Sequence, residues 1–168
     1  MNGICLIGYM GSGKSTIGKA LSARLELPFI DLDHEIEKEE NQTIPEIFEK
    51  KGEAYFREAE SWLLKKYIAV PCVLSTGGGV IVDEHNRKEL LKHESVIYLT
   101  ADSSILLERI QQDTRTTRPL AMEENIDSFH RLFLERADFY ELSAAYQVDV
   151  TDKSIEEICD EIIHKVSS

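Results

Sequence analysis

The chain has 168 residues, of which 42% are hydrophobic and 30% charged, a composition typical of one folded domain with a sizeable core. Its formal net charge of −12 argues against a nucleic-acid-binding protein, which needs a basic surface to displace counterions. No apolar run approaches the length of a membrane span, and the first residues lack the pattern of a signal peptide, so we expect a cytoplasmic protein.

Short apolar runs alternate with longer helical patterns along the chain. The predicted strands are apolar almost throughout, as expected of strands that are buried on both faces of a sheet. This alternation favours an α/β fold with a parallel sheet covered by helices, in which ligands gather at the carboxyl ends of the strands. The predicted strands are Ile4–Ile7, Phe29–Leu32, Cys72–Ser75, Val96–Leu99 and Gln147–Val150. The predicted helices are Thr16–Leu25, Ile44–Lys51, Glu53–Tyr67, His85–Lys92, Ser103–Gln111, Ile126–Tyr140 and Ile155–Val166.

The first predicted strand runs into the segment from Gly8 to Ser15, which matches the phosphate-binding pattern G-x-x-x-x-G-K-[ST] between a strand and a helix. Its glycines let backbone N–H groups turn toward phosphate oxygens, and the following helix directs its positive end to the same point. Lys14 is predicted to reach the β- and γ-phosphates, and the Ser15 hydroxyl to coordinate Mg²⁺ as the cofactor. The residues predicted to bind ATP are Gly11, Ser12, Gly13, Lys14, Ser15 and Thr16.

Two absences argue against motor ATPases and GTPases. No Asp ends the apolar strand Cys72–Ser75, and the guanine-reading pattern Asn-Lys-x-Asp does not occur. Instead the strand is followed by Gly77-Gly78-Gly79. A ligand can approach such a bare backbone closely, although three glycines are equally compatible with a tight turn.

The second predicted strand ends in Asp31-Leu32-Asp33. Because residues two apart on a strand face the same way, Asp31 and Asp33 are expected to share one face near the phosphate-binding segment. Two adjacent carboxylates repel each other unless they are used, for example by a magnesium-bound water and by a substrate hydroxyl. The alternative is that Asp33 caps a helical segment, His34–Glu40.

One arginine is predicted to point into the protein from the helix Ile126–Tyr140. The apolar face of this helix holds Phe129, Phe133 and Tyr140. Spacings of seven residues from Phe129 and four from Tyr140 put Arg136 on that same face. A buried guanidinium is costly unless it is paired, so its partner is either an internal carboxylate or the carboxylate of a substrate. Arg57 gives a weaker indication, because an exposed helical arginine commonly pairs with a neighbouring glutamate.

The polar segment Gln112–Asn125, which contains Pro119, interrupts the alternation and is predicted to be a mobile lid. Phosphoryl transfer spreads negative charge over the transferring group, and Arg118 in this segment is a candidate to meet that charge. A solvated surface loop is the alternative for Arg118 and for Arg115. Five of the eight arginines lie in one stretch, which indicates an anion site: Arg109, Arg115, Arg118, Arg131 and Arg136.

In order and spacing, these motifs resemble the shikimate kinase family over nearly the whole chain. The resemblance rests on Gly8–Ser15, Asp31-Leu32-Asp33, Gly52-Glu53 with Phe56-Arg57 and Glu60, Ser75–Gly79, Arg118-Pro119-Leu120, and Arg136 with Tyr140. It implies a single domain over residues 1–168 with a three-layer P-loop kinase fold, a five-stranded parallel sheet of order 2-3-1-4-5 and a lid. It also implies transfer of the γ-phosphate of ATP to the 3-hydroxyl of shikimate, on the route to chorismate and the aromatic amino acids.

Residue roles on the substrate side follow from the same resemblance. Asp33 would bind the shikimate hydroxyls and act as the catalytic base. Arg57 and Arg136 would hold the shikimate carboxylate. The backbone of Gly77–Gly79 would contact the substrate, with Gly78 as a hydrogen-bond donor, and the substrate-binding segment is expected over residues 31–60.

On the nucleotide side, the resemblance implies that Ser15 and, through a water, Asp31 hold Mg²⁺, while Lys14 and Arg118 act on the phosphates as catalytic residues. Arg109 resembles the arginine beside the adenine. The alternatives are a gluconate kinase or another small-metabolite kinase, and a non-catalytic ATP-binding module. We expect a monomer whose partners are ATP and shikimate, without nucleic acid or membrane.

Overall fold

A computed structural model describes residues 2–112 and 126–168. Its strands form a five-stranded parallel sheet with the order β2-β3-β1-β4-β5, which confirms the fold predicted from the sequence. The strands are β1 (Ile4–Ile7), β2 (Phe29–Asp31), β3 (Val73–Ser75), β4 (Val96–Thr100) and β5 (Tyr146–Asp149). The helices are α1 (Lys14–Leu25), α2 (Leu32–Glu40), α3 (Ile44–Lys51), α4 (Glu53–Ile68), α5 (Glu84–Leu91), α6 (Ser103–Gln112), α7 (Ile126–Ser143) and α8 (Ile155–Val166), with a 3₁₀ turn at Val80–Val82.

β1 occupies the centre of the sheet, where it pairs with β3 on one side and with β4 on the other. Cys5 of β1 lies opposite Leu74 of β3 and Val96 of β4. All the residues of β1 are buried. This central position explains why β1 reads as an uninterrupted apolar run, since a strand covered on both faces has no polar side.

Two apolar clusters fill the two faces of the sheet. Successive side chains of a strand point to opposite faces, so Ile4 and Leu6 enter one cluster while Cys5 and Ile7 enter the other. Side chains of α1 and α8 complete the first cluster, and side chains of α2 to α7 complete the second. The carboxyl ends of β1, β2 and β3 therefore lie between helices that approach from both faces of the sheet.

The largest difference from the predicted elements lies after β2. The strand ends at Asp31, one residue before its predicted end, and α2 begins immediately at Leu32. The cause is local, because the Asp31 carboxylate accepts a hydrogen bond of 3.2 Å from the backbone N–H of His34 and so caps the helix. α2 is not among the predicted helices, because its charged sequence carries only Leu32 and Ile36 as buried residues. Only the alternative that made Asp33 a helix cap included a helical segment here, His34–Glu40.

The helix ends beside Gly52 and Gly13 lie within two residues of their predicted positions. Gly52 ends α3 and begins α4 as predicted, with a φ of 86° that favours glycine. α1 begins at Lys14, two residues before its predicted start at Thr16, because the left-handed Gly13 turns the chain directly into the helix. In residues 2–112 and 126–168, no helix combines the length and the apolar character that crossing a membrane needs.

Candidate active site

The phosphate-binding segment Gly8–Ser15 connects β1 to α1, as the motif predicts. Gly11 and Gly13 have φ values of 86° and 90°, a region that side chains rarely allow. A Cβ atom at Gly11 would also lie 2.7 Å from the carbonyl oxygen of Leu106 in α6. Glycine is therefore required here both by the backbone conformation and by the packing of α6 against the segment.

Lys14 folds back over the segment that precedes it. Its Nζ donates hydrogen bonds to the carbonyl oxygens of Gly8 at 2.7 Å and Tyr9 at 3.1 Å, and to Ser12 Oγ at 3.4 Å. Lys14 is buried although it carries a charge, and Ser12 beside it is fully buried. The loop thus places a desolvated cation where phosphate oxygens are expected, and such a charge interacts more strongly with an anion than one in water does.

Ser15 and Asp31 place two oxygen ligands beside this segment. The Ser15 hydroxyl donates a hydrogen bond of 3.0 Å to Asp31 Oδ2, while Asp31 Oδ1 caps α2. Mg²⁺ usually retains several waters and binds one or two protein oxygens together with phosphates, so this pair fits such an ion. The described residues contain no cluster of three or more His, Cys, Asp or Glu side chains that could hold a metal by themselves.

The premise that Asp31 and Asp33 share a strand face is wrong. Asp33 lies in the first turn of α2, not on β2, and Asp31 rather than Asp33 is the helix cap. The two carboxylates therefore have different neighbours: Asp31 bonds to Ser15, whereas a Cβ atom added at Gly77 would lie 2.7 Å from Asp33 Oδ1. The separation of the two groups comes from the start of the helix, because one residue there turns the chain by about 100°.

Glu60 is a buried carboxylate that sequence reasoning did not place among the site residues. Its side chain is only 1% exposed, its Oε2 has no hydrogen-bond partner among the described residues, and that oxygen lies 3.1 Å from the position of a Cβ atom at Gly77. Burial raises the pKa of Glu60 to about 7 even though the neighbouring Arg57 lowers it, and the charge of Asp33 adds a smaller upward contribution within that value. Glu60 follows the buried Phe56 by four residues, so the helical spacing that indicated Arg136 could have indicated it.

Arg57 pairs with glutamates of its own helix and also lies beside the glycine segment, so both interpretations of this residue from the sequence find support. Its Nη1 lies 2.9 Å from Glu60 Oε1, and its Nη2 lies 3.6 Å from Glu53 Oε1, so the expected pairing with helical glutamates is present. The same guanidinium nevertheless lies directly against Gly79, where a Cβ atom would overlap it. Arg57 is thus fixed by its own helix and presented to the glycine segment.

Arg136 is buried on the inner face of α7 with Phe129, as its spacing predicts. It is only 8% exposed, and its Nη1 lies 3.8 Å from the position of a Cβ atom at Gly78. In the part of the chain that the structure describes, its Nε has no hydrogen-bond partner. Within residues 2–112 and 126–168, no carboxylate lies at ion-pair distance from Arg136, so the alternative of an internal ion pair finds no support there.

The Gly77–Gly79 segment is both a turn and a close-approach site. The N–H of Val80 donates to the carbonyl oxygen of Gly77 at 3.3 Å, and the N–H of Val82 donates to that of Gly79 at 3.1 Å. These bonds form the turn into the 3₁₀ segment. Asp33 and Glu60 lie closest to Gly77, Arg136 lies beside Gly78, and Arg57 lies against Gly79. Four ionisable side chains therefore converge on three residues without side chains.

The remaining predicted residues differ in how far the structure describes them. Arg109 is exposed on α6, the helix that packs against Gly11, and Thr16 is exposed in the first turn of α1. The predicted lid falls on residues 112–125, of which only Gln112 is described, as the last residue of α6. Arg118 lies outside the described residues.

The comparisons with known proteins agree on one family. A family model described as shikimate kinase matches residues 10–167. A shikimate kinase of Enterococcus faecalis is 45% identical over 166 residues, which cover 99% of each chain. The shikimate kinase of Acinetobacter baumannii, solved in complex with shikimate, is 35% identical with a TM-score of 0.91, and the match covers 99% of this chain and 93% of that one.

A gluconokinase of Sinorhizobium meliloti is a more distant structural match. It is 18% identical with a TM-score of 0.61, covering 99% of this chain and 91% of that one, and this likeness shows a common fold alone. The order of the motifs, the 2-3-1-4-5 sheet and the full-length matches all lead to the same conclusion. The chain belongs to the shikimate kinase family.

Proposed function

We propose that this kinase transfers the γ-phosphate of ATP to the 3-hydroxyl of shikimate, giving shikimate 3-phosphate and ADP. The observation that carries the proposal is the arrangement around Gly78: a Cβ atom there would lie 3.5 Å from the backbone nitrogen of Met10 and 3.8 Å from Arg136 Nη1. The phosphate-binding segment and the buried guanidinium thus both lie close to one residue. A phosphate donor and a carboxylate-bearing acceptor held by these groups would meet there.

On the nucleotide side, the backbone N–H groups from Gly11 to Thr16 and the Lys14 ammonium would bind the phosphates of ATP. Mg²⁺, held by Ser15 and through water by Asp31, would neutralise charge on the β- and γ-phosphate oxygens. Arg109 would lie beside the adenine, since it is exposed on the helix that packs against Gly11. Arg118 would supply a further cation to the transferring group from the predicted lid.

On the acceptor side, Arg136 would bind the carboxylate of shikimate together with Arg57. The buried guanidinium of Arg136 lacks a carboxylate among the described residues, and a substrate carboxylate would supply one. The backbone of Gly77–Gly79 would donate to substrate oxygens.

Asp33 would accept the proton of the 3-hydroxyl as the hydroxyl oxygen bonds to the γ-phosphorus and the bond to the bridging oxygen of ADP breaks. A cytoplasmic location and a monomeric state stay predictions.

A coupled assay of ADP release tests this function. We expect ADP release from ATP that depends on shikimate, with a phosphorylated shikimate as the product by ³¹P NMR. Gluconate in place of shikimate is the matched acceptor control, because it also carries a carboxylate and hydroxyls. Turnover with gluconate alone would favour the gluconate kinase alternative, and ATP binding without turnover of either acceptor would favour the non-catalytic module.

A further inference from the structure

Tyr140 is a fully buried tyrosine one helical turn beyond Arg136 on α7. Its exposed fraction is 0%, and its ring stacks on that of Tyr98 with a centroid distance of 5.1 Å. A buried phenol hydroxyl is costly unless it is hydrogen-bonded, so the contacts of this oxygen are informative. It lies 3.7 Å from the position of a Cβ atom at Gly78, at the point where Arg136 also approaches.

The Tyr140 hydroxyl bonds to the glycine segment at the residue that Arg136 also approaches. It donates a hydrogen bond to the carbonyl oxygen of Gly78. Burial raises the pKa of Tyr140, so the phenol keeps its proton and can donate. Arg136 Nη1 lies 3.8 Å from the position of a Cβ atom at the same glycine, so the phenol and the guanidinium meet at Gly78.

The bond to Gly78 completes the pairing of the carbonyl groups in this segment. The carbonyl oxygens of Gly77 and Gly79 are already bonded to backbone N–H groups. By contrast, no residue in the described part of the chain accepts a hydrogen bond from the N–H groups of Gly77, Gly78 or Gly79. The segment therefore holds its acceptors inside the protein and leaves its donors for oxygen atoms of a ligand.

Glycine residues do not hold such an arrangement by themselves. Each lacks a Cβ atom, so the peptide planes of Gly77–Gly79 can rotate more freely than those of other residues. Because a peptide unit is planar and trans, fixing the carbonyl of Gly78 also fixes the N–H of Gly79 on the opposite side. A single bond at Gly78 thus orients a donor of the neighbouring residue as well.

We infer that Tyr140 is a positioning residue of the acceptor site, whose hydroxyl sets the orientation of the Gly78–Gly79 peptide beside Arg136. This inference rests on the proposed function, since it concerns the binding of the carboxylate-bearing acceptor. The Tyr140 hydroxyl acts through the peptide that it holds, and we expect binding of the nucleotide not to depend on it.

The test is Tyr140→Phe, which removes one oxygen and keeps the buried ring. We expect the KM and the Kd of shikimate to rise roughly tenfold, the scale of one hydrogen bond to a charged group, with ATP affinity unchanged. Tyr98→Phe is the matched control, because it removes the hydroxyl of the stacked partner, which is also buried. The control is expected to bind shikimate like the wild type.

A double-mutant cycle with Arg136→Lys gives a second measurement. If the Gly78–Gly79 peptide held by Tyr140 and the Arg136 guanidinium bind the same carboxylate, the combined loss of shikimate affinity should be smaller than the product of the two single losses. Multiplicative losses would overturn the inference, as would an unchanged shikimate Kd in Tyr140→Phe, or an equal loss in Tyr98→Phe or in ATP affinity. Absence of shikimate-dependent turnover in the wild type would instead overturn the proposed function.

Discussion

The nucleotide and acceptor halves of the candidate site are built in different ways. The phosphate-binding part of the nucleotide half is one continuous segment, Gly8–Ser15, with its backbone and a single lysine. The acceptor half is assembled from α2, α4, the loop after β3 and α7, and it depends on buried charges. A continuous site binds its ligand with a backbone conformation that glycines permit. A dispersed site binds with side chains whose burial and charge depend on residues far away in the sequence.

The largest expected effect tests the nucleotide half. Lys14→Ala should lower kcat/KM by about 10³-fold, because it removes the desolvated cation that the loop holds against the phosphates. Shikimate-dependent ADP release measures the change, and circular dichroism checks the fold. Lys19→Ala is the matched control, since it removes the same charge from the exposed side of the same helix. Near-normal activity in Lys14→Ala would exclude this lysine from catalysis.

Variants of Asp33 and Asp31 test whether Asp33 serves the acceptor half and Asp31 the nucleotide half. Asp33→Asn should lower kcat by roughly 10²-fold, the scale of a positioned general base, and keep ATP binding. Asp31→Asn should instead raise the Mg²⁺ concentration needed for half-maximal activity, because Asp31 bonds to Ser15. Steady-state kinetics over a range of Mg²⁺ concentrations separates the two. The opposite result for each variant would mean that their roles are reversed.

Arg136 tests whether the acceptor half depends on a buried charge. Arg136→Ala should raise the KM for shikimate about 30-fold or more, the lower end of the ~2–5 kcal/mol expected for truncating a desolvated charge pair. An analogue without the carboxylate should bind equally poorly to the wild type and the variant. Arg131→Ala, on the exposed side of the same helix, is the control. If Arg136→Ala unfolds at ordinary temperature, its charge is structural.

The last expected effect concerns folding rather than catalysis, and it is the pH dependence of stability at Glu60. Burial raises the pKa of Glu60 from 4.5 to about 7, so between these values the folded state binds more protons than the unfolded state does. The free energy of unfolding should therefore fall as pH rises through this window, by about 3 kcal/mol at most, and fall no further above it.

Urea unfolding at several pH values measures this slope. In Glu60→Gln the slope should be lower, because the amide does not titrate, whereas Glu58→Gln changes an exposed residue of the same helix and should keep it. A Glu60→Gln protein with the slope of the wild type would show that Glu60 is ionised throughout in the folded state.

What the sequence determined was local. The strand–helix alternation predicted the parallel sheet, the glycine and lysine spacing located Gly8–Ser15, and the helical period put Arg136 inside, because each signal needs only residues within a few turns. The tertiary structure decided the rest. Asp31 and Asp33 diverge because a helix starts between them, Glu60 meets Asp33 at Gly77, and Tyr140 reaches Gly78 across 62 positions of sequence. Such contacts depend on how separate elements pack, and no local pattern carries that information.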